Sequence, residues 1–174
     1  MPRMPKRPGW PRQVAGITIL RLRQCPAVLG IEAGGMEILG IGTDIIECPR
    51  IGKMVENHGE MFLRRVYTDR EIRYCQSRKH AIEHFAGLWA AKEAILKALG
   101  TGWTRGISWT DIEVRHGQSG QTRVLVAGGA KDAAIRKGIG DVLVTISHCR
   151  TYATAYAMAI SPSGPGKSEP EPDA

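Results

Sequence analysis

The segment Phe85–Gly102, FAGLWAAKEAILKALGTG, constrains the fold of this chain more than any other stretch. Its large apolar residues recur every three or four positions, which is the period of an α-helix, and no proline interrupts them. Glycines close the segment, and glycine is the residue that most often ends a helix. We therefore predict a long helix over about 81–99, with an apolar stripe facing a core and one carboxylate, that of Glu93, near its middle.

The sequence around this helix predicts an α+β domain. Five short apolar or alternating runs predict strands, at 37–46, 111–115, 122–127, 142–147 and 152–160. The first run is dense enough in apolar residues to suit a strand buried on both faces. Three shorter helices are predicted: one from Pro49 with a break at Gly59, one from the capping-box sequence at Thr68, and one over 130–137. A small, mainly antiparallel sheet packed with one long helix and shorter helices is the most economical arrangement.

The two ends of the chain differ from the middle. Residues 1–35 are rich in Pro and Arg, and hold six basic residues against one acidic residue, which is most of the net charge of +7. Residues 161–174 are polar and Pro-rich. We predict that both ends are disordered, or that translation begins at Met36, which leaves 36–160 as one domain. This middle part is mildly basic, which favours anionic partners such as phosphates or an acidic protein.

Cysteine usage and hydropathy indicate the compartment. The four cysteines are scattered, without a CxxC pair or a nearby histidine at zinc-finger spacing, so neither a disulfide framework nor a structural zinc is predicted. That pattern is typical of the reducing cytoplasm. No segment approaches the roughly 20 apolar residues that cross a bilayer, so we expect no membrane partner.

Asp44, at the end of the first predicted strand, is the second candidate functional carboxylate. Magnesium prefers oxygen ligands and usually takes one or two carboxylates, with water and substrate phosphates completing its shell. Asp44 and Glu93 would supply that number if the strand end lies against the middle of the long helix. An aspartate here could also simply cap the following turn, and the spacing in sequence does not show that the two carboxylates meet.

Basic residues and glycines close to these carboxylates would suit a diphosphate. The candidates are Lys92, Lys97, Arg50, the backbone amides of Gly100, Thr101 and Gly102, and His148 at a strand end. Each has an ordinary structural alternative. The Glu93–Lys97 pair, four residues apart on a helix, would be worth only about 0.3–0.5 kcal/mol as a surface pair. The Gly-Thr-Gly sequence can simply end a helix, and a histidine at a strand end is often structural.

Three segments, GIGTDIIECPRI, FAGLWAAKEAILKALGTG and ISHCRTYATAYAMA, resemble in order and spacing the holo-acyl-carrier-protein synthase family of phosphopantetheinyl transferases. The resemblance covers about 36–160. It implies a small α+β protein that forms homotrimers, with the active site between subunits. It also implies an enzyme that moves 4′-phosphopantetheine from coenzyme A to a serine of apo-acyl carrier protein, releases adenosine 3′,5′-bisphosphate and uses Mg²⁺. Neither a membrane nor a nucleic acid is an implied partner.

The resemblance also implies roles for particular residues. Asp44 and Glu93 match the magnesium ligands, and Glu93 is also a base, directly or through water, for the serine hydroxyl. Lys97 matches a lysine that offsets charge on the diphosphate and helps the leaving group depart. The Gly100–Thr101–Gly102 loop and His148 match positions near the coenzyme. Arg50 matches a basic residue of the first helix where the acidic carrier docks, and Lys53 extends that surface.

One position departs from the family pattern. Leu88 stands where the family commonly has an arginine that meets a coenzyme phosphate, although Arg73, Arg78 or Lys79 could substitute for it. Two alternatives follow from the sequence: a catalytically inactive homologue that keeps the scaffold, suggested by Leu88, and a nucleic-acid-binding module that uses the basic leader. The sequence leaves open whether the carrier serves fatty-acid or polyketide synthesis, and whether the metal is Mg²⁺ or Mn²⁺.

Overall fold

The computed structural model describes residues 36–102, 106–117 and 121–162. Its strands are β1 (Ile38–Glu47), β2 (Ile112–His116), β3 (Thr122–Val126), β4 (Asp141–His148) and β5 (Tyr152–Ile160). Its helices are α1 (Cys48–Val66), α2 (Asp69–Gln76), α3 (Ala81–Ala98) and α4 (Gly128–Arg136), with a short 3₁₀ turn at Trp109–Asp111. The α+β class and the mainly antiparallel pairing are thus confirmed. The predictions for residues 1–35 and 163–174 fall outside the described residues.

The three-stranded sheet is antiparallel in the order β1-β5-β4, and β2 pairs with β3 in a separate hairpin. Alanines on one face of the central strand, Ala153, Ala155, Ala157 and Ala159, are all buried. The register sets Asp44 opposite Ala155. Because directly opposed residues share a face of the sheet, Asp44 lies on the buried face with these alanines.

Small residues allow α3 to pack very closely on that face. A Cβ atom added at Gly42 would collide with the carbonyl oxygen of Ala94, and one added at Gly40 with that of Ala98. Both glycines are therefore required by the close approach of the helix rather than by backbone conformation. The two contacts also show that β1 and α3 run in opposite directions, because a later strand residue meets an earlier helix residue.

The prediction that β1 is buried on both faces is wrong for the single chain. Ile41 is 59% exposed and Ile45 is 67% exposed. The reason is that α3 covers one face of the sheet and no described element covers the other. A run of apolar residues on β1 therefore does not distinguish a strand enclosed by its own chain from one with an apolar face turned outward.

Two predictions about the chain segment that connects β1 to α3 are confirmed. Helix α1 is interrupted at Gly59, whose φ of 53° and ψ of −135° are accessible to glycine and strained for other residues. The capping box at the start of α2 is complete: the Thr68 hydroxyl accepts from the Glu71 amide at 3.3 Å, and the Glu71 carboxylate accepts from the Thr68 amide at 2.8 Å.

Candidate active site

Strand β1 carries Asp44 to α3, where Lys97 meets it. The Lys97 Nζ donates to Asp44 Oδ1 at 2.7 Å and to the carbonyl oxygen of Thr43 at 2.8 Å. The Asp44 side chain is 17% exposed and that of Lys97 is 49% exposed. The fold thus brings together two predicted site residues that are 53 positions apart in sequence, at a place that a ligand can reach.

Glu93 lies one helical turn before Lys97 on the same face of α3. Gly42 lies against Ala94, and Asp44 is two strand residues, or about 6.6 Å, further along β1. Because the helix and the strand run in opposite directions, Asp44 lies nearer the start of α3 than Gly42 does. The difference is about one helical turn of 5.4 Å. Glu93 therefore falls between the level of Asp44 and that of Lys97, and is partly buried.

The donor set at this place fits Mg²⁺. Within the described ranges, no three His, Cys, Asp or Glu side chains come together as a metal-binding group, so a cage built wholly from protein side chains does not form there. Two carboxylates that leave the remaining positions to water and phosphate are what magnesium commonly takes. Asp44 and Glu93 would hold the ion, with the Lys97 ammonium beside them.

The Gly-Thr-Gly loop begins with a helix C-cap. The Gly100 amide donates to the Lys97 carbonyl at 2.9 Å, and the Thr101 amide donates to the Leu96 carbonyl at 3.3 Å. Gly100 has a φ of 61°, as this type of cap requires. The amides of Gly100 and Thr101 are therefore occupied within the protein, which differs from their predicted availability to a phosphate. Gly102, with a φ of 53°, completes the turn.

Lys137 is a cation at this loop that the sequence did not indicate. It follows the last residue of α4, and its Nζ donates to the Gly100 carbonyl oxygen at 3.0 Å. Thirty-seven positions separate the two residues, and no motif connects them. Lys137 adds a second exposed lysine near the end of α3, beside Lys97.

The predicted phosphate-binding role of Lys92 is not available to it in this structure. Its side chain is 0% exposed, and its Nζ donates to Glu71 Oε2 at 2.7 Å and to the carbonyl oxygens of Val66 and Trp109 at 2.8 and 3.1 Å. An ammonium group has three donors, and all three are used. Lys92 therefore stabilises the core, because α3 is covered by other elements on the side from which this lysine projects.

Glu71 is the matching buried carboxylate. Its second oxygen accepts from the Val114 amide at 2.9 Å, so it links α2 to β2 as well as to α3. Burial raises the pKa of Glu71 and lowers the pKa of Lys92, although the pairing of the two opposes both shifts. Without its partner, either charge would be enclosed and uncompensated.

His148, the last residue of β4, lies beside a cavity of about 100 Å³ near the first half of α3. The lining residues are Tyr74, His84, Gly87, Leu88, His116, Ile146 and His148. Leu88 is buried and forms part of the apolar wall. Of the substitutes considered for the missing arginine, Arg78 lies close by, with its guanidinium 4.6 Å from the centre of the Tyr74 ring. His84 and His116 were not predicted to lie here, because their spacing in sequence matches no motif.

The predicted docking residues Arg50 and Lys53 are both exposed, close to the start of α1. Because they are exposed, a partner can reach these basic side chains from solvent.

No helix in the described part of the chain is both long and apolar enough to cross a membrane.

The model of the 4′-phosphopantetheinyl transferase superfamily matches residues 40–160 of this chain. The chain belongs to that superfamily, and it is a phosphopantetheinyl transferase, as the resemblance of its motifs predicted. Its curated relatives are more particular. A holo-[acyl-carrier-protein] synthase of Thermoanaerobacter sp. (strain X514) is 45% identical over 122 residues, 70% of this chain and 87% of the relative. One of Koribacter versatilis is 44% identical over 123 residues, 70% and 97% of the two chains.

Solved structures give the same result. The holo-[acyl-carrier-protein] synthase of Neisseria meningitidis superposes with a TM-score of 0.65 at 29% identity, over 71% of this chain and 98% of that one. That of Bacillus anthracis, in complex with CoA (3′,5′-ADP), has a TM-score of 0.60 at 35% identity, over 74% and 100% of the chains.

Proposed function

We propose that this chain transfers 4′-phosphopantetheine from coenzyme A to a serine of apo-acyl carrier protein, in a reaction that requires Mg²⁺. The observation that carries the proposal is the contact of Asp44 with Lys97, one turn from Glu93, within the region that matches the family. The names of the curated relatives and the coenzyme-bound structure of the Bacillus anthracis relative support the choice of substrates.

The metal would be held by Asp44 and Glu93, and when bound it would neutralise charge on the diphosphate of coenzyme A. In the reaction, the serine Oγ forms a bond to the phosphorus that bears pantetheine, and the bridging phosphorus–oxygen bond to the adenosine 3′,5′-bisphosphate breaks. Glu93 takes the serine proton, directly or through water. Such a transfer depends mostly on positioning and charge stabilisation, so a covalent enzyme intermediate is not needed.

Lys97 would stabilise the departing phosphate oxygen. Its side chain is half exposed beside Asp44, and its Nζ makes two hydrogen bonds, so the third ammonium donor can serve an anionic ligand. A hydrogen bond from an ammonium to a phosphate is about twice as strong as one between neutral groups. Lys137, at the loop after α3, is a further cation for the same anion.

We place the reaction in the cytoplasm, with an acidic carrier protein docking on Arg50 and Lys53. Cys48, Cys75 and Cys149 are free thiols in the structure, as expected in a reducing compartment. Opposite charge on the two surfaces would speed encounter more than it would tighten the complex.

The test is the intact mass of an apo-acyl carrier protein after incubation with this protein, coenzyme A and Mg²⁺. We expect a gain equal to phosphopantetheine that is abolished by EDTA and restored by excess Mg²⁺. No gain with folded protein and several carriers would contradict the proposal and favour an inactive homologue. A version starting at Met36 should retain full transfer, whereas a nucleic-acid module that used the leader would lose salt-sensitive binding.

We also propose that three copies associate through the face of the sheet turned away from α3, which we call the outer face. It carries Ile41, Ile45, Leu143 and Tyr156, all exposed in the single chain. A contiguous apolar surface of this kind is typical of an interface, and the resemblance implies a homotrimer.

Replacing Ile45 with aspartate is expected to give a monomer, because each copy would then bring a charge into an apolar interface. Light scattering coupled to size exclusion measures the change. Ile135→Asp is the matched control, since Ile135 is 64% exposed but lies on α4, and it should leave the mass unchanged. A wild-type monomer at micromolar concentration would contradict the assembly.

A further inference from the structure

Two cysteines from distant parts of the sequence lie side by side at one end of the three-stranded sheet. Cys48 is the first residue of α1, and Cys149 directly follows the last residue of β4. The Cys48 Sγ donates to the carbonyl oxygen of Cys149 at 3.5 Å, although 101 positions separate the two residues. No motif joins them, and neither has a role in the proposed transfer.

Backbone hydrogen bonds hold the two cysteines in this arrangement. The Cys48 amide donates to the Thr151 carbonyl oxygen at 2.8 Å, and the Cys149 amide donates to the Tyr152 carbonyl oxygen at 2.8 Å. The start of α1 is therefore attached to the turn that carries Cys149. Within one cysteine, covalent geometry separates the sulfur from the carbonyl oxygen by at most about 4.5 Å, so the two sulfurs are at most about 8 Å apart.

The two thiols differ in the way that a reacting pair requires. Cys149 is exposed, and its sulfur accepts from the Tyr152 amide at 3.4 Å. Hydrogen bonds from the Tyr152 and Thr151 amides lower the pKa of Cys149, because they stabilise its thiolate. Cys48 is 2% exposed, and burial raises its pKa, with Glu83 adding to the effect. An oxidant from solvent therefore meets Cys149 first, as the more nucleophilic thiol.

We propose that Cys48 and Cys149 are a modification site at which a reversible disulfide forms and weakens carrier docking at the start of α1. The oxidant is a low-molecular-weight disulfide. The Cys149 thiolate attacks one sulfur of this reagent and displaces the other as a thiolate. The Cys48 thiol then loses its proton and attacks the Cys149 sulfur, which displaces the second half of the reagent. Two cysteine thiols are oxidised to one disulfide, and the reagent is reduced to two thiols.

The bond would act on the docking residues more than on the metal ligands. An S–S bond of about 2.05 Å requires the Cys149 side chain to turn towards α1 and the two segments to approach. Asp44 is held in register with β5, whereas Arg50 lies in the first turn of α1, two residues after Cys48. The movement therefore falls on the turn and on the surface that carries Arg50. This consequence rests on the proposed function.

Reversibility follows from the place of the bond at the surface. Exposed disulfides are more readily reduced than those enclosed in a core, and are the ones that commonly regulate. In a reducing compartment, the two thiols would be free under ordinary conditions and would pair only when the surroundings become oxidising.

Mass spectrometry of the full chain after incubation with oxidised glutathione tests the bond itself. We expect the loss of two hydrogen atoms and a peptide that links Cys48 to Cys149, both reversed by dithiothreitol. Cys149→Ser should abolish the link. Cys75→Ala is the matched control, because Cys75 is 0% exposed and its removal should leave the link in place; Cys25→Ser should do the same. A chain that keeps glutathione on Cys149, or that links Cys149 to Cys25, would overturn the proposal.

Kinetics of the oxidised and reduced protein test the effect on docking. Oxidation should raise the KM for apo-acyl carrier protein several-fold and leave the KM for coenzyme A nearly unchanged. Cys149→Ser should transfer like the reduced wild type and should not respond to the oxidant. Equal KM values for the oxidised and reduced wild type would overturn the effect on docking. Absence of transfer by the reduced wild type would instead contradict the proposed function and leave the disulfide to be judged by mass alone.

Discussion

Replacing Lys92 with methionine is expected to lower the free energy of unfolding by about 3–5 kcal/mol, which is the usual cost of breaking a buried ion pair. The substitution would leave the Glu71 carboxylate enclosed without its cation, and would leave the carbonyls of Val66 and Trp109 without their donor. Urea denaturation followed by circular dichroism measures the loss. A loss of this size can leave little of the protein folded, because the total free energy of unfolding of a domain is only about 5–15 kcal/mol.

Two comparisons make this prediction specific. Lys97→Met is the matched control, because the Lys97 side chain is 49% exposed and its pair with Asp44 should contribute less than about 1 kcal/mol. The double variant Glu71→Gln, Lys92→Met should be more stable than Lys92→Met alone, because it removes the uncompensated charge while keeping an acceptor oxygen. Equal, small effects of Lys92→Met and Lys97→Met would show that the buried pair does not stabilise the core as argued.

Replacing Glu93 with alanine is expected to reduce kcat/KM for apo-acyl carrier protein by at least about 10²–10⁴-fold. That is the range for loss of a general base. The loss should be larger if the carboxylate also holds the metal, and excess Mg²⁺ should not restore the wild-type rate. The measurement is the rate of mass gain of apo-acyl carrier protein at saturating coenzyme A. The thermal unfolding midpoint checks that the fold is retained, since Glu93 lies at the partly buried face of α3.

Glu37→Ala is the control for this experiment. Glu37 is an exposed glutamate just before β1, and its removal should leave the rate of transfer near that of the wild type. Mg²⁺-dependent transfer by Glu93→Ala at a rate close to that of Glu37→Ala would reject the role assigned to Glu93 and require another base.

The sequence alone determined the local structure. The period of apolar residues placed α3 to within a residue at its end, and the capping box fixed the start of α2, because both depend on neighbours within one helical turn. The family motifs predicted that Asp44, Glu93 and Lys97 belong to one site. The structure brings Asp44 to Lys97 directly, and Glu93 lies one helical turn before Lys97 on the same face of α3.

The tertiary structure decided which charges are exposed and which are enclosed. Lys92 and Lys97 lie five residues apart on one helix, and nothing local distinguishes a lysine that pairs with Glu71 in the core from one that pairs with Asp44 near the surface. The approach of Lys137 to the Gly100 loop, and the presence of His116 and His148 around one cavity, likewise depend on contacts between elements distant in sequence. The same holds for the outer face of β1. Burial is set by what packs against an element, and a sequence pattern records only the residues of the element itself.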